Sequence, residues 1–304
     1  MAYQTSKVDD MKNEDSGFVS LTCDSIEIDN TEGKDAAPES VKDEELFNKW
    51  RNFLKEAFVP DEDGDTYLII QIRQKNIQEA KNLINLNFHF GSKQNLDIRN
   101  KRKSSALHLA LNQHDILPAL ICAGADLSVK DSKGHNIFHL IAITQNTEAL
   151  RIILFFGQKT SQIEKIKELV NSPNYEGIPA YFLAIRYHYR EMIVYMSANG
   201  FIDKNAKDGK NGNTALHEVI ALCKINERMH VINSLVKKCN IDVNSLNNCD
   251  VTPLHLAASA NDKEACAVLL ALGANCVLKD FHEQFPFSYA TDDEIKEKLR
   301  VNPC

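Results

Sequence analysis

The chain is 304 residues long, 43% hydrophobic and 25% charged, with a formal net charge of −7. That length gives room for one or two globular domains, and the composition excludes collagen-like and wholly disordered proteins. Residues 1–63 hold 17 Asp/Glu against 7 Lys/Arg, while residues 64–304 hold 25 against 28, so no bulk basicity marks a nucleic-acid binder.

The first segment, 1–43, is acidic and poor in apolar residues, which is the composition of a disordered region. Asp9, Asp10, Glu14 and Asp15 interrupt any apolar core that a secretory signal needs. No later apolar run approaches the roughly 20 residues of a membrane span. Inside this segment, Asp15-Ser16-Gly17-Phe18-Val19-Ser20 reads D-S-G-x-x-S. Phosphorylating Ser16 and Ser20 adds about −1.5 to −2 charge each. A receptor with clustered Arg or Lys reads such a doubly charged segment. Lys7 and Lys12 precede Ser16 closely and are the candidate ubiquitin acceptors.

Residues 44–60 follow as an amphipathic helix. Leu46, Phe47, Trp50, Phe53, Leu54 and Phe58 recur at helical spacing. The helix is expected to close the exposed end of what comes next, with a free partner-binding helix as the alternative. Asp61, Glu62, Asp63 and Asp65 then form a carboxylate cluster.

Beyond it the chain repeats itself. Thr252-Pro253-Leu254-His255-Leu256-Ala257-Ala258 has counterparts at Ser105–Ala110, Asn136–Leu140 and Thr214–His217. Weaker copies are Thr66–Ile69, Pro179–Ala184 and Phe285–Ala290. The aligned positions are 69, 108, 139, 182, 217, 255 and 288, separated by 39, 31, 43, 35, 38 and 33 residues. This is the ankyrin repeat, with a period of about 33 and a T-P-L-H signature. Thr caps the first helix, Pro suits its first turn, and the Gly before Ala-Asp or Ala-Asn ends the second. Asp/Asn/Gly-rich stretches such as Asp126–Asn136 and Asn205–Asn213 are the turn-forming fingers. The 43-residue step contains Gln158–Asn171, whose Ile163, Ile166, Leu169 and Val170 predict an additional helix. The expected fold is an all-α ankyrin-repeat solenoid over 61–295, six repeats plus a partial C-terminal capping repeat, with a short tail over 296–304.

Chemistry has little to stand on. Four of the ten histidines occupy the T-P-L-H slot, a structural position. His217-Glu218 opens like a zinc-protease helix, but position 221 is Ala. Eight cysteines are scattered without a C-x-x-C pair, so free thiols in a reducing cell interior are expected rather than a zinc site. Neither a phosphate-cradling loop nor a nucleophile elbow occurs. We expect no enzyme, no cofactor and no metal. Lys101-Arg102-Lys103 is a basic triplet in a finger, read as a solvated loop or as a contact with an acidic partner.

An acidic D-S-G-x-x-S tail followed by Asp61-Glu62-Asp63-Gly64-Asp65-Thr66 and the repeats resembles the IκB family. Asn174-Tyr175-Glu176-Gly177 and Asn211-Gly212-Asn213-Thr214-Ala215-Leu216-His217 sharpen the resemblance. It implies an inhibitor of Rel/NF-κB dimers, cytoplasmic and possibly shuttling to the nucleus, with no direct nucleic-acid or membrane contact. Ser16 and Ser20 are implied targets of an IκB kinase, with Lys7 and Lys12 modified by a cullin-type ubiquitin ligase. Asp61, Glu62, Asp63 and Asp65 are implied contacts for the basic nuclear localisation segment of a Rel dimer. The alternatives are a nuclear IκB-like co-regulator, which needs no degron, and an ankyrin scaffold with another partner. Only Asp292, Asp293 and Glu294 stand where the family often carries an acidic C-terminal tail, so removal of Rel dimers from DNA is not implied.

If the degron operates, Ser16→Ala with Ser20→Ala yields a protein that persists after stimulation of cells. A half-life as short as the parent's, followed by immunoblot after blocking synthesis, refutes the switch.

Overall fold

The computed structural model describes residues 41–159, 162–222 and 225–301, without the side chains of 41–47, 93–94, 225–227 and 301. Ser16, Ser20, Lys7, Lys12 and the rest of the acidic segment before residue 41 lie outside the described residues. Among the described residues every regular element is a helix, and extended backbone pairs only at the isolated bridges Pro173–Pro179 and Lys207–Thr214. The chain forms two compact units, one reaching Lys101 and adding Ser105–Asp126, the other holding Arg102–Ser104 and everything from Leu127 onward.

The first unit starts with α1 (Val41–Ala57), which buries Leu54 and Ala57 and, just past its end, Phe58. It packs on α3 (Ile77–Phe90), the outer helix of repeat 1. The expected stripe is narrower than its sequence suggests, because Phe53 is 38% exposed. Leu54, Ala57 and Phe58 share one face at spacings of three and four, and Phe53 falls at its edge. The inner helix of repeat 1 is α2 (Tyr67–Arg73), capped by Thr66 Oγ1, which accepts from Ile69 N at 3.3 Å. α4 (Lys93–Leu96), α5 (Ala106–Leu109) and α6 (Leu117–Cys122) complete this unit. α5 packs on α2 and α6 on α3, inner upon inner and outer upon outer.

The second unit holds repeats 3 to 7. Its inner helices are α7 (Ile137–Thr144), α10 (Ala180–Arg186), α12 (Ala215–Leu222), α14 (Pro253–Ser259) and α16 (Pro286–Tyr289). Each stacks on the next. Its outer helices are α8 (Thr147–Lys159), α11 (Arg190–Ala198), α13 (Ile225–Cys239), α15 (Lys263–Ala271) and α17 (Asp293–Val301). Phe138, Ile141, Tyr181, Phe182, Ile185, Leu216 and Leu254 are closed off between the layers. Each such side chain contributes about 1.5–3 kcal/mol by leaving water. The expected boundary at 295 gives way here: the last repeat has a full outer helix, running through the supposed tail to Val301.

The additional helix is α9 (Ile163–Asn171), packed on α8 and α10. Ile166, Leu169 and Val170 are its buried side chains. Gly157 makes the approach possible, since a Cβ there would meet Ile166 Cδ1 at 2.1 Å.

The slot histidines join the layers. Nδ1 of His139, His217 and His255 accepts from the backbone N–H of the N-cap residue, Asn136 at 3.3 Å, Thr214 at 3.2 Å and Thr252 at 3.1 Å. That places the proton on Nε2. Nε2 then donates to a carbonyl in the next finger, Ile178 at 3.1 Å, Val251 at 2.8 Å and Gln284 at 3.2 Å. His108 makes the same cap bond from Ser105 N, at 3.1 Å. Burial, ahead of the opposing hydrogen bond to the carbonyl, pushes His139 and His217 down to about 4, and lowers His255.

Acid should therefore loosen the second unit. An unfolded histidine takes a proton near 6.5, whereas buried His139 and His217 resist it until about 4. Their contribution is complete above pH 6.5 and is lost as pH falls through this window, roughly 3 kcal/mol for each. Urea midpoints taken between about pH 7 and about pH 4.5 should fall steeply, and a flat profile would refute the assignment.

Candidate protein-binding surface

In repeats 1 and 3 to 7 the finger is ordered by an Asp or Asn side chain near its start. Asp61 Oδ1 accepts from the N–H of Asp63 at 2.9 Å and of Asp65 at 2.8 Å. Asp131 does the same for Lys133 and His135, both at 2.8 Å. Asn174, Asn247 and Asp280 each bind the N–H groups two and four positions on. In the longer finger of repeat 5, Asp208 reaches Asn211 at 2.7 Å and Asn213 at 3.3 Å. These Asx loops hold their tips without help from a sheet. Successive tips also bond through their backbones. Within the first unit, Lys101 N donates to Asp63 O at 2.9 Å. Within the second, Tyr175 N reaches Lys133 O at 3.1 Å, Gly209 N reaches Gly177 O at 2.9 Å, Asn248 N reaches Asn211 O at 2.9 Å, and Phe281 N reaches Cys249 O at 3.0 Å.

The ordered loop sorts the acidic cluster. Asp61, Glu62 and Asp63 are exposed, whereas Asp65 is 3% exposed. Asp65 pairs with Arg73 on α2 and accepts from Asn100 Nδ2 at 2.8 Å. The structure therefore separates the four carboxylates that the sequence groups together: three face out, and Asp65 holds the finger to its helix. Lys101, Arg102 and Lys103 of the basic triplet are exposed.

Two further surface features escape a reading by motif. The position after the loop-ordering residue carries Tyr175 in repeat 4 and Phe281 in repeat 7, 69% and 72% exposed. Tyr175 is fixed in place, because its ring lies against Gly134, where an added Cβ would come within 2.7 Å of ring atoms. Gly134 also has φ +79°, which disfavours any side chain there. The five-residue Asx spacing was the sequence signal for these tips. The second feature is a charged group on the inner helices. Arg186, ending α10, forks onto Glu218 of α12, Nε to Oε2 at 2.9 Å and Nη2 to Oε1 at 3.2 Å. Glu218 stands one place after the slot histidine, where repeats 2, 3, 4 and 6 have Leu109, Leu140, Leu183 and Leu256.

Elsewhere, a groove of about 510 Å³ opens between α9, the stretch Gly200–Asn205 and the end of α13. It is lined by unlike charges, Glu164, Glu168 and Asp203 with Lys167, Lys204 and Lys238. Among the described residues no helix is long and apolar enough to cross a membrane.

Seven helix pairs, stacked within each unit, four of them with a histidine in the slot, joined by ordered fingers, define an ankyrin-repeat protein. Comparison with known proteins agrees: a family model for ankyrin repeats, in three copies, matches residues 182–280. The chain is 26% identical over 79% of its length to the nuclear factor NF-kappa-B p105 subunit of Gallus gallus. It is 26% identical over the same share to the B-cell lymphoma 3 protein homolog of Mus musculus. It spans only 23% and 51% of these relatives' own lengths. The crystal structure of the ankyrin repeat domain of Bcl-3, described as a unique member of the IκB protein family, superposes with a TM-score of 0.67 at 26% identity. That match covers 79% of this chain and all of the other. Within the ankyrin class, then, the chain is similar to ankyrin domains of NF-κB and IκB-family proteins.

Removing Asp65 should damage the fold, and removing its exposed neighbours should not. Asp65→Ala leaves Arg73 and buried Asn100 without their acceptor and should cost about 2 kcal/mol or more. Glu62→Gln and Asp63→Asn should change stability by less than about 0.5 kcal/mol. Denaturant unfolding of the three variants distinguishes them.

Proposed function

We propose that this chain binds dimers of Rel/NF-κB transcription factors through its repeats and acts as a cytoplasmic inhibitor. The similarity to IκB-family ankyrin domains carries this reading. Binding occurs on the fingers and the inner helices, where solenoids present a long ordered surface. The first finger supports a more specific role. Asp61, Glu62 and Asp63 are exposed on a loop fixed by its own hydrogen bonds, so a basic nuclear localisation segment meets carboxylates that need no reordering. Opposite charge steers such a segment and quickens association. Masking it holds the dimer in the cytoplasm.

Release follows from the acidic segment. Phosphorylation of Ser16 and Ser20 by an IκB kinase creates the ligand for a cullin-type ubiquitin ligase. Ubiquitin is attached at Lys7 or Lys12, and the proteasome frees the dimer. A nuclear co-regulator would bind the same dimers but would have no use for this segment, and D-S-G-x-x-S favours the inhibitor.

The test is binding of purified Rel dimers with and without their localisation segment. The parent chain should bind the segment-containing dimer more tightly, and Asp61→Asn, Glu62→Gln and Asp63→Asn together should erase that advantage, about tenfold or more at low salt. A parent chain that binds no Rel dimer overturns the proposal, and an advantage that survives neutralisation removes the role of the first finger.

A further inference from the structure

The charged group on α10 and α12 is costly and is not needed to fold an ankyrin array. Glu218 is 4% exposed and Asp208 is 4% exposed, and buried carboxylates are tolerated only when paired and hydrogen-bonded. Replacing such a pair by apolar residues is often neutral or stabilising. Leucine already serves at the Glu218 register in repeats 2, 3, 4 and 6. A local rule broken in this way points to a task beyond folding.

The geometry shows what the group presents. Glu218 grips Nε and Nη2 of Arg186 and also accepts from Asn213 Nδ2 at 3.3 Å. Asp208 Oδ2 lies 3.7 Å from the same Nη2 and has no hydrogen-bond partner. The guanidinium is thus held in one orientation from below. Its Nη1 edge has no partner among the described residues, and the side chain remains 31% exposed. Tyr187, next in the chain, and Leu222, at the end of α12, are each 45% exposed.

We propose that Arg186 is an anchor for the bound polypeptide, its Nη1 edge donating to a main-chain carbonyl of the partner, with Tyr187 and Leu222 seating an adjacent apolar side chain. The charge balance selects a carbonyl. Glu218, Asp208 and Glu176 all act on this one guanidinium, so an incoming carboxylate meets a net negative site. An incoming cation finds the carboxylates closed beneath Arg186. A neutral acceptor satisfies the free donor without adding charge. Because the fork to Glu218 fixes the guanidinium beforehand, little side-chain freedom is lost on binding. Arg and Tyr are also the side chains that most often dominate interface energies.

This inference rests on the reading of the chain as a binder of Rel dimers, and the test separates the two. Arg186→Met combined with Glu218→Leu and Asp208→Asn removes the charged group without stranding a buried carboxylate, restores the leucine of the other repeats, and keeps at position 208 the oxygen that the N–H groups of Asn211 and Asn213 bind. It should unfold within a few degrees of the parent while binding a Rel dimer about tenfold or more weakly. The loss should be the same at low and at high salt, because the acceptor is uncharged. Arg186→Lys, which keeps the charge but not the planar fork, should lose binding similarly and provides a second folded comparison. Undiminished binding by both variants overturns the anchor while leaving the Rel reading intact. A loss that disappears at high salt overturns the carbonyl. A parent chain that binds no Rel dimer removes the partner reading and the anchor with it.

Discussion

One hydrogen-bond bridge recurs through the structure and orders much of the rest. The imidazole at the slot position accepts from the cap of its own helix and donates to a carbonyl of the next finger. Through His139, His217 and His255 it ties helix start, finger and neighbouring repeat into one unit. It demands a neutral ring in a buried place, and the lowered proton affinity of these residues is the consequence of that burial. Repeats without the imidazole find other means. Repeat 4 fills the slot with Phe182, fully buried beside Tyr181 at 4.8 Å between ring centroids. Repeat 1 puts Ile69 there and closes its finger through Asp65 and Arg73.

Once the bridge and the Asx loops fix the fingers through backbone bonds, the side chains at their tips can vary. One architecture therefore displays quite different chemistry from repeat to repeat. Acidic side chains project from repeat 1, a lysine from repeat 3, Tyr175 from repeat 4 and Phe281 from repeat 7. A surface of this kind recognises a partner by sequence variation on a constant frame, which is how solenoids use their length. The same separation explains Asp65. Its neighbours are surface charges, yet a turn of the loop makes it an internal strut.

Charged residues on the inner helices follow a parallel pattern. Arg73 and Arg186 sit at the same place in repeats 1 and 4, four residues past the slot, and each is held by a buried carboxylate. α9 is a different kind of elaboration. It is added outside the repeat, buries its apolar face on α8 and α10, and leaves a charged face beside an open groove.

The sequence by itself determined the repeats, their register, the caps and the extra helix, because each rests on local rules. A Thr or Asn accepts from a backbone N–H three residues on, a Gly adopts a left-handed turn, and apolar side chains recur every three or four positions. It also carried the resemblance to the IκB family, through short motifs that stand in the chain as they are. Only the tertiary structure decided which of four adjacent carboxylates face outward, since Asp65 is turned in by Asn100, 35 residues away. It alone decided that the last repeat has a full outer helix, since Ile295 and Leu299 are buried there. It alone joined Arg186 to Glu218, 32 residues apart. Bonds between repeats depend on the stacking of whole layers, and no local rule in the sequence encodes which polar side chains that stacking brings into contact.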